Sequence, residues 1–409
     1  MSLPANPRLD LLQPYPFERL RALLAAKPAG LQPSSLPLVD LSIGEPRHPT
    51  PPVVLNALAG ATDGLASYPA TAGTPPLREA IAAWIRRRYD PVDAATQVLP
   101  VNGSREALFS FAQAMLDPAP AGTQVVIAPN PFYQIYEGAA LLAGARLHLL
   151  DQRPDNSFRM DWTQVPDSLW PQVKLVYVCS PGNPTGAVMD LDEWRTLFAL
   201  ADRHGFIIAS DECYSEIYHD ESAPPLGALA VCRQLGRTDY RGVVVFSSLS
   251  KRSNVPGMRS GFVAGDAALL ARFLRYRTYH GCAMSPMFQQ ASIAAWNDEA
   301  HVVDNRRLYR QKFDAVLPIL QPVVPALQMP AASFYLWLPV PGGDDEAFTA
   351  RLFHEAHVKV LPGSYLGRPS SLHPDDPASN PGHGFVRIAL VAPPEACIEG
   401  ARRIAALIG

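Results

Sequence analysis

Residues 243–261 read Val-Val-Val-Phe-Ser-Ser-Leu-Ser-Lys-Arg-Ser-Asn-Val-Pro-Gly-Met-Arg-Ser-Gly, an apolar run that gives way to hydroxyls and then to a lone amine, Lys251. The run from Val243 to Phe246 has the character of a buried strand. A lysine at the end of such a strand can be desolvated enough to act as a nucleophile and form a Schiff base with a carbonyl. Ser248, Ser250 and Arg259 add short donors and a planar cationic fork to the same stretch, the set a phosphate requires. Three further polar side chains follow or interrupt apolar runs. Asn183 lies in a loop of prolines and glycines after Leu175–Cys179, Asp211 closes the run from Phe206, and Arg387 sits inside Phe385–Leu390. Ligands of open α/β sheets bind at the carboxyl ends of the strands, where Asn183, Asp211 and Lys251 all fall. A cation within a strand needs a partner, which is either a structural carboxylate or that of a ligand. Taken singly each residue has an ordinary alternative: a solvated lysine, an aspartate capping a helix, a structural salt bridge.

Taken together they resemble something specific. Ser-x-Ser-Lys, a short spacer and Pro-Gly-x-Arg-x-Gly are similar to the cofactor-lysine signature of class I and II aminotransferases, the pyridoxal-phosphate enzymes of fold type I. The strand running into Asn183-Pro184-Thr185-Gly186 and the Asp211-x-x-Tyr214 pair resemble two more motifs of that family, in the family's order. The resemblance implies that Lys251 carries pyridoxal 5'-phosphate as a Schiff base and moves the substrate's proton. It implies that Asp211 keeps the ring nitrogen cationic, and that Asn183 and Tyr214 hold the phenolic oxygen. Gly103, Ser104 and Arg105 stand where the family has its phosphate loop, and with Ser248, Ser250 and Arg259 they are the implied phosphate contacts. Tyr68, in Tyr-Pro-Ala-Thr-Ala-Gly, matches the tyrosine that reaches the phosphate of a neighbouring subunit, so a homodimer is implied. Tyr133 matches the aromatic that stacks on the ring, with Phe132 the alternative that spacing leaves open. Gly44 and Arg387, with Asn183, match the groups that hold the substrate carboxylate. No metal is implied, and the ten histidines show no ligand spacing.

The elements that must position these residues alternate between short apolar strands and amphipathic helices, the pattern of a mainly parallel sheet. The expected fold is α/β: a large cofactor-binding domain with a seven-stranded, mainly parallel sheet between helices, and a smaller α+β domain built from both termini. The expected boundaries are 1–44, 45–283 and 284–409. Expected helices include 14–25, one capped by Thr74 with Pro75 in its first turn, and one capped by Ser104. Another starts at Asp190 with Glu193 three residues on and stops at Gly205. The stretch 266–318 reads as one long helical region interrupted at Cys282–Pro286, and Ala332–Trp337 reads as a strand.

Composition narrows the function classes. A chain of 409 residues with 48% hydrophobic and 18% charged residues is an ordinary globular protein, and its formal charge of −3 gives no reason to expect nucleic acid or anionic membrane. Five scattered cysteines without Cys-x-x-Cys spacing argue against structural zinc and disulfides, and with the absence of an apolar leader they favour the cytoplasm. The opening Leu-Gln-Pro-Tyr-Pro-Phe-Glu-Arg-Leu, Leu-Ser-Ile-Gly-Glu-Pro-Arg-His-Pro-Thr-Pro and Leu-Pro-Gly-Ser-Tyr-Leu-Gly resemble bacterial succinyldiaminopimelate aminotransferases of lysine biosynthesis, with glutamate as amino donor. That substrate needs a cation far from Arg387, for which Arg47 and Arg252 are the candidates. Other class I aminotransferases (aspartate, alanine or direct diaminopimelate types) and β-eliminating C–S lyases use the same cofactor set. A cofactor-sensing regulatory domain is disfavoured because the stretch ahead of Gly44 is too short for a DNA-binding module.

Overall fold

The computed structural model describes residues 5–26, 35–118, 120 and 122–409. In chain order the strands are β1 (Val39–Asp40), β2 (Val98–Val101), β3 (Val125–Asn130), β4 (Arg146–Asp151), β5 (Val173–Cys179) and β6 (Ile207–Asp211). They continue with β7 (Val243–Ser248), β8 (Gly261–Gly265), β9 (Tyr335–Pro339), β10 (Val358–Lys359), β11 (Leu361–Pro362) and β12 (Phe385–Ala389). The helices are α1 (Pro16–Ala25), α2 (Pro52–Ala59), α3 (Pro75–Arg88), α4 (Ser104–Met115), α5 (Ile135–Leu142), α6 (Leu191–His204) and α7 (Ala228–Gln234). They end with α8 (Leu249–Arg252), α9 (Ala267–His280), α10 (Pro286–Asn297), α11 (Ala300–Leu320), α12 (Asp345–Ala356) and α13 (Pro394–Ile408).

Seven strands form one sheet in the order β2-β8-β7-β6-β5-β3-β4, and only β8 runs against the rest. Successive side chains of a strand point to opposite faces, so a strand covered on both faces must be apolar throughout. In β7, Val243 and Val245 enter one core with Trp84, Trp194 and Trp296, while Val244 and Phe246 enter the other with Phe111, Phe132 and Phe273. Truncating Phe246 to alanine would cost on the order of 3–5 kcal/mol by opening a cavity there. A second, three-stranded antiparallel sheet, β11-β12-β9, packs with α11, α12 and α13 around a separate core, and β1 pairs with β10 beside it. Helix α10, which the expected boundary at 283/284 gives to the second domain, packs against α2 and α3.

Most local expectations hold, and the departures have identifiable causes. Asp190 caps α6 through the backbone N–H groups of Asp192 and Glu193, Glu193 accepts the N–H of Asp190, and Gly205 ends the helix in the left-handed region. Ser104 is not the cap of α4. Gly103 holds that place with φ of 86°, and Ser104 is the first helical residue. Thr74 precedes α3, but its side chain makes no capping bond. The stretch 266–318 holds three helices, because besides the break at 281–285 a second falls at Asp298, whose carboxylate takes the N–H and ring of His301. The strand expected at 332–337 begins only at Tyr335, since Ala332 bridges to Tyr218 and Ser333 has φ of 75°.

Candidate active site

The parallel strands end on a common edge, and the sequence puts a polar residue at each exit near the sheet's centre. Strand β2 leads to Gly103 and Ser104, β3 to Tyr133, β5 to Asn183, β6 ends at Asp211 and β7 at Ser248; Arg259 precedes the antiparallel β8. Register keeps them level: Asp211 lies between Cys179 and Phe246, and Gly261 between Ser248 and Val101. Their side chains line a cavity of about 530 Å³ whose opposite wall includes Tyr15, Gly44, Tyr335 and Arg387.

At its floor Asp211 is 4% exposed and accepts the hydroxyl of Tyr136 at 2.6 Å and the N–H of Cys213 at 3.2 Å. Burial raises its pKa, and the Tyr136 hydrogen bond opposes that rise. Lys251, on α8 just past β7, donates from Nζ to the carbonyl of Gly44 at 2.5 Å. Burial disfavours its charged form and lowers its pKa to about 8, the Cys213 thiol counteracting and the Arg387 cation adding to the effect.

The end formed by α4 and Arg259 is built for an anion. A β-carbon on Gly103 would sit 2.3 Å from Nη2 of Arg259, so only glycine, here also at positive φ, lets the guanidinium lie against the turn. Arg259 is exposed, and among the described residues its hydrogen bonds go to the carbonyls of Pro256 and Asn102. Ser104, Ser248, Ser250 and Arg105 line the same end, where the N-terminus of α4 adds free N–H groups.

The far wall carries Arg387, 4% exposed on β12. Its Nη1 donates to Asn183 Oδ1 and its Nη2 to the carbonyl of Ser42, both at 2.9 Å, while among the described residues its Nε has no partner. Among the described residues no carboxylate lies within ion-pair distance of it, so the cation is buried beside neutral oxygens alone.

The structure thus gathers Gly44, Ser104, Arg105, Tyr133, Asn183, Asp211, Tyr214, Ser248, Ser250, Lys251, Arg259 and Arg387 around one cavity, with Gly103 directly behind Arg259. Between the two aromatic candidates, Tyr133 faces the cavity and Phe132 is fully buried in the core. Tyr68 lies outside the cavity, fully exposed ahead of α3. Neither cation considered for the distal end of the substrate lines the cavity. Arg252 is 1% exposed, paired with Glu299 at 2.7 Å and packed against the adjoining rings of Trp84 and Trp296, because the short α8 turns it away from Lys251; Arg47 is exposed outside the cavity. Sequence reasoning missed Tyr15, Tyr136 and Tyr335. Tyr136 had a signal, its i+3 spacing from Tyr133 at the start of α5, but Tyr335 read only as a strand aromatic. Spacing showed no metal-ligand set, yet the fold brings Glu106, His280 and Cys282 within 4.8 Å of one another; Glu106 there already holds Arg277 at 2.5 Å.

The family model for aminotransferase class I and II matches residues 37–404. The LL-diaminopimelate aminotransferase of Desulforudis audaxviator is 30% identical over 415 residues, covering 100% of this chain and 99% of that protein. Among solved structures, an aminotransferase from Neisseria meningitidis superposes with a TM-score of 0.91 at 52% identity, over 99% of this chain and 100% of that one. A probable N-succinyldiaminopimelate aminotransferase from Thermus thermophilus does so with a TM-score of 0.82 at 29% identity, over 96% and 99%. With the match running from before β1 into α13, this chain belongs to the class I and II aminotransferases.

Proposed function

We propose that this chain uses pyridoxal 5'-phosphate to move an amino group between N-succinyldiaminopimelate and 2-oxoglutarate, a step of lysine biosynthesis in the cytoplasm. The observation that carries the amino-acid part is Arg387, a buried guanidinium with no acidic partner among the described residues, set on the same cavity as an amine of lowered pKa. A ligand carboxylate supplies what that cation lacks.

The residues present fit the cofactor. One end of the cavity is cationic and rich in hydroxyls, the floor holds a buried carboxylate, and Lys251 lies between. Gly103, Ser104, Arg105, Ser248, Ser250 and Arg259 would hold the phosphate, Tyr133 would stack on the ring, and Asn183 and Tyr214 would face the phenolic oxygen. Bound there, pyridoxal phosphate supplies an electron sink conjugated with the substrate's Cα. Asp211 would stabilise positive charge on the ring nitrogen: burial alone raises its pKa, and a cation beside it would favour the carboxylate form. Lys251 would hold the cofactor and, when its amine is free, would move the proton at the substrate's Cα, a task suited to an amine with a pKa near 8. Arg387 and the Gly44 backbone fix the substrate carboxylate and thereby aim the Cα–H bond. We extend the reading to a homodimer in which the exposed Tyr68 of a second copy reaches the phosphate end, and to two lobes, the larger one running on past residue 283 to take in α10, which packs against α2 and α3.

The succinylated substrate follows from the resemblance of the N-terminal and Leu361–Gly367 segments; the free LL form is the second reading, supported by relatives of that name at 30% identity. Purified protein with pyridoxal phosphate and 2-oxoglutarate is offered succinyldiaminopimelate, LL-diaminopimelate, aspartate and alanine, and glutamate is measured. A kcat/KM for the succinylated compound about a hundredfold above the rest supports the proposal. An equal or better value for LL-diaminopimelate moves it to the direct reaction. Pyruvate and ammonia from cystathionine without an oxo acid would make it a lyase.

A further inference from the structure

Tyr335, the first residue of β9, is 2% exposed and touches three parts of the cavity wall at once. It pairs with Ala389 in the β9–β12 ladder, which makes Arg387 its diagonal neighbour on the same face. The guanidinium carbon of Arg387 lies 4.5 Å from the centre of its ring. Its hydroxyl lies 3.0 Å from that of Tyr214. A β-carbon on Gly44 would fall 1.9 Å from the same hydroxyl, so Tyr335 also occupies the space that a side chain there would take.

Two consequences follow from charge and proton accounting. Among the described residues Arg387 has no carboxylate partner, so the π face of Tyr335, with two neutral oxygens, is what offsets its buried charge, and the stacking fixes the plane of the guanidinium. A phenol has one proton to give. Burial keeps both Tyr214 and Tyr335 protonated. If Tyr214 spends its proton inside the cavity, the bond between the two hydroxyls must be donated by Tyr335. We propose that Tyr335 is a positioning residue with two separable parts: its ring orients Arg387 toward the substrate carboxylate, and its hydroxyl turns the proton of Tyr214 toward the cofactor's phenolic oxygen.

This rests on the roles proposed above for Lys251, Tyr214 and Arg387, and the test keeps the two apart. Holoenzymes of wild type, Tyr335→Phe and Tyr335→Leu are titrated by their visible absorption, and KM is measured for two amino acids of unlike side chain. In Tyr335→Phe the ring remains and the donor to Tyr214 is lost. More negative charge then stays on the ring oxygen, which holds the neighbouring proton more tightly, and the pH midpoint rises by about half a unit. Its KM values stay within about twofold, whereas Tyr335→Leu, which removes the π face, raises both by about tenfold. A midpoint unmoved in Tyr335→Phe, or a KM rise as large in Phe as in Leu, overturns the inference. Should the Leu variant give no soluble holoenzyme, Tyr335→Met, which fills the space without a π face, takes its place. A colourless wild type would instead defeat the assignment of Lys251.

Discussion

A buried arginine without an acid beside it is either a flaw tolerated by the fold or half of a binding site, and Arg387→Met separates the two. Methionine fills much the same volume and carries no charge. In the free protein, taking the guanidinium out of water costs several kcal/mol. Against this stand two bonds to neutral oxygens at 2.9 Å, worth roughly 1.5–3 kcal/mol each because the donor is charged. The face of Tyr335 at 4.5 Å contributes about 0.5–2 kcal/mol more. The two sides nearly cancel. Unpairing Asn183 Oδ1 is cheap as well, since that residue lines the cavity and water can reach it. The folded state should therefore lose no more than about 1 kcal/mol, a change in Tm of about 1–3 °C. Binding is another matter. Two charge-assisted bonds to a substrate carboxylate are worth together about 3–4 kcal/mol, so kcat/KM should fall by roughly 10²- to 10³-fold for every amino acid and oxo acid tried. Thermal unfolding of the holoenzyme and steady-state kinetics with at least one amino acid and one oxo acid make the comparison. A Tm lower by more than about 8 °C with KM unchanged for both would show Arg387 to be a structural cation, and the reading of the far wall would fall.

Other perturbations probe the remaining walls. Lys251 has a pKa near 8, and only its neutral form is nucleophilic. Covalent capture of pyridoxal phosphate by apoprotein should accordingly speed up as pH rises, level off above about 8 and be absent in Lys251→Ala; a plateau delayed to the range of a free lysine amine would contradict the burial argument. In Gly103→Ala the new carbon meets Arg259 at 2.3 Å and the backbone sits at φ of 86°. Strain of about 1–3 kcal/mol should appear in the unfolding curve together with an apparent cofactor affinity about tenfold weaker, read by equilibrium dialysis. Tyr136→Phe removes the 2.6 Å hydrogen bond that favours ionised Asp211, so its pKa should climb further and cofactor affinity should drop about tenfold, measured in the same way.

How much of this could be read in the chain depended on whether a feature was local. The sheet was legible because strands buried on both faces must be apolar along their length, and Val243–Phe246 and Phe206–Ala209 are. The residues at strand exits were legible because topology puts every such exit on one edge, whatever the loops do. What stayed hidden depended on contacts between distant segments. Tyr335 is 121 residues from Tyr214, and nothing around it in sequence indicates that its ring lies under Arg387 or its hydroxyl against Gly44. Arg252 misled for the opposite reason. It adjoins Lys251 in sequence, but on the short turn of α8 neighbouring side chains diverge, and this one runs past a pair of adjoining tryptophans to Glu299.

The charges around the cavity say what kind of ligand would complete it. Arg387, Arg259, Lys251 and Asp211 all line it, and among the described residues none of them forms an ion pair. Folding alone would favour closing such gaps, either by pairing the charges with one another or by replacing them with apolar side chains of similar volume. Site residues that violate the rules the rest of the core obeys are the ones held for binding or chemistry. The order of the charges is informative too. Cations stand at both ends of the cavity; among the described residues lining it Asp211 is the buried carboxylate, on its floor, and Glu45 next to Gly44 is an exposed one. Neutralising that arrangement takes a molecule, or a pair of molecules meeting at Lys251, that is anionic at either extremity and cationic over Asp211. A phosphate-bearing pyridine joined to an amino acid has that pattern. A neutral cofactor, or a substrate without a carboxylate, would leave Arg387 without an anion beside it, as it is among the described residues of the free chain.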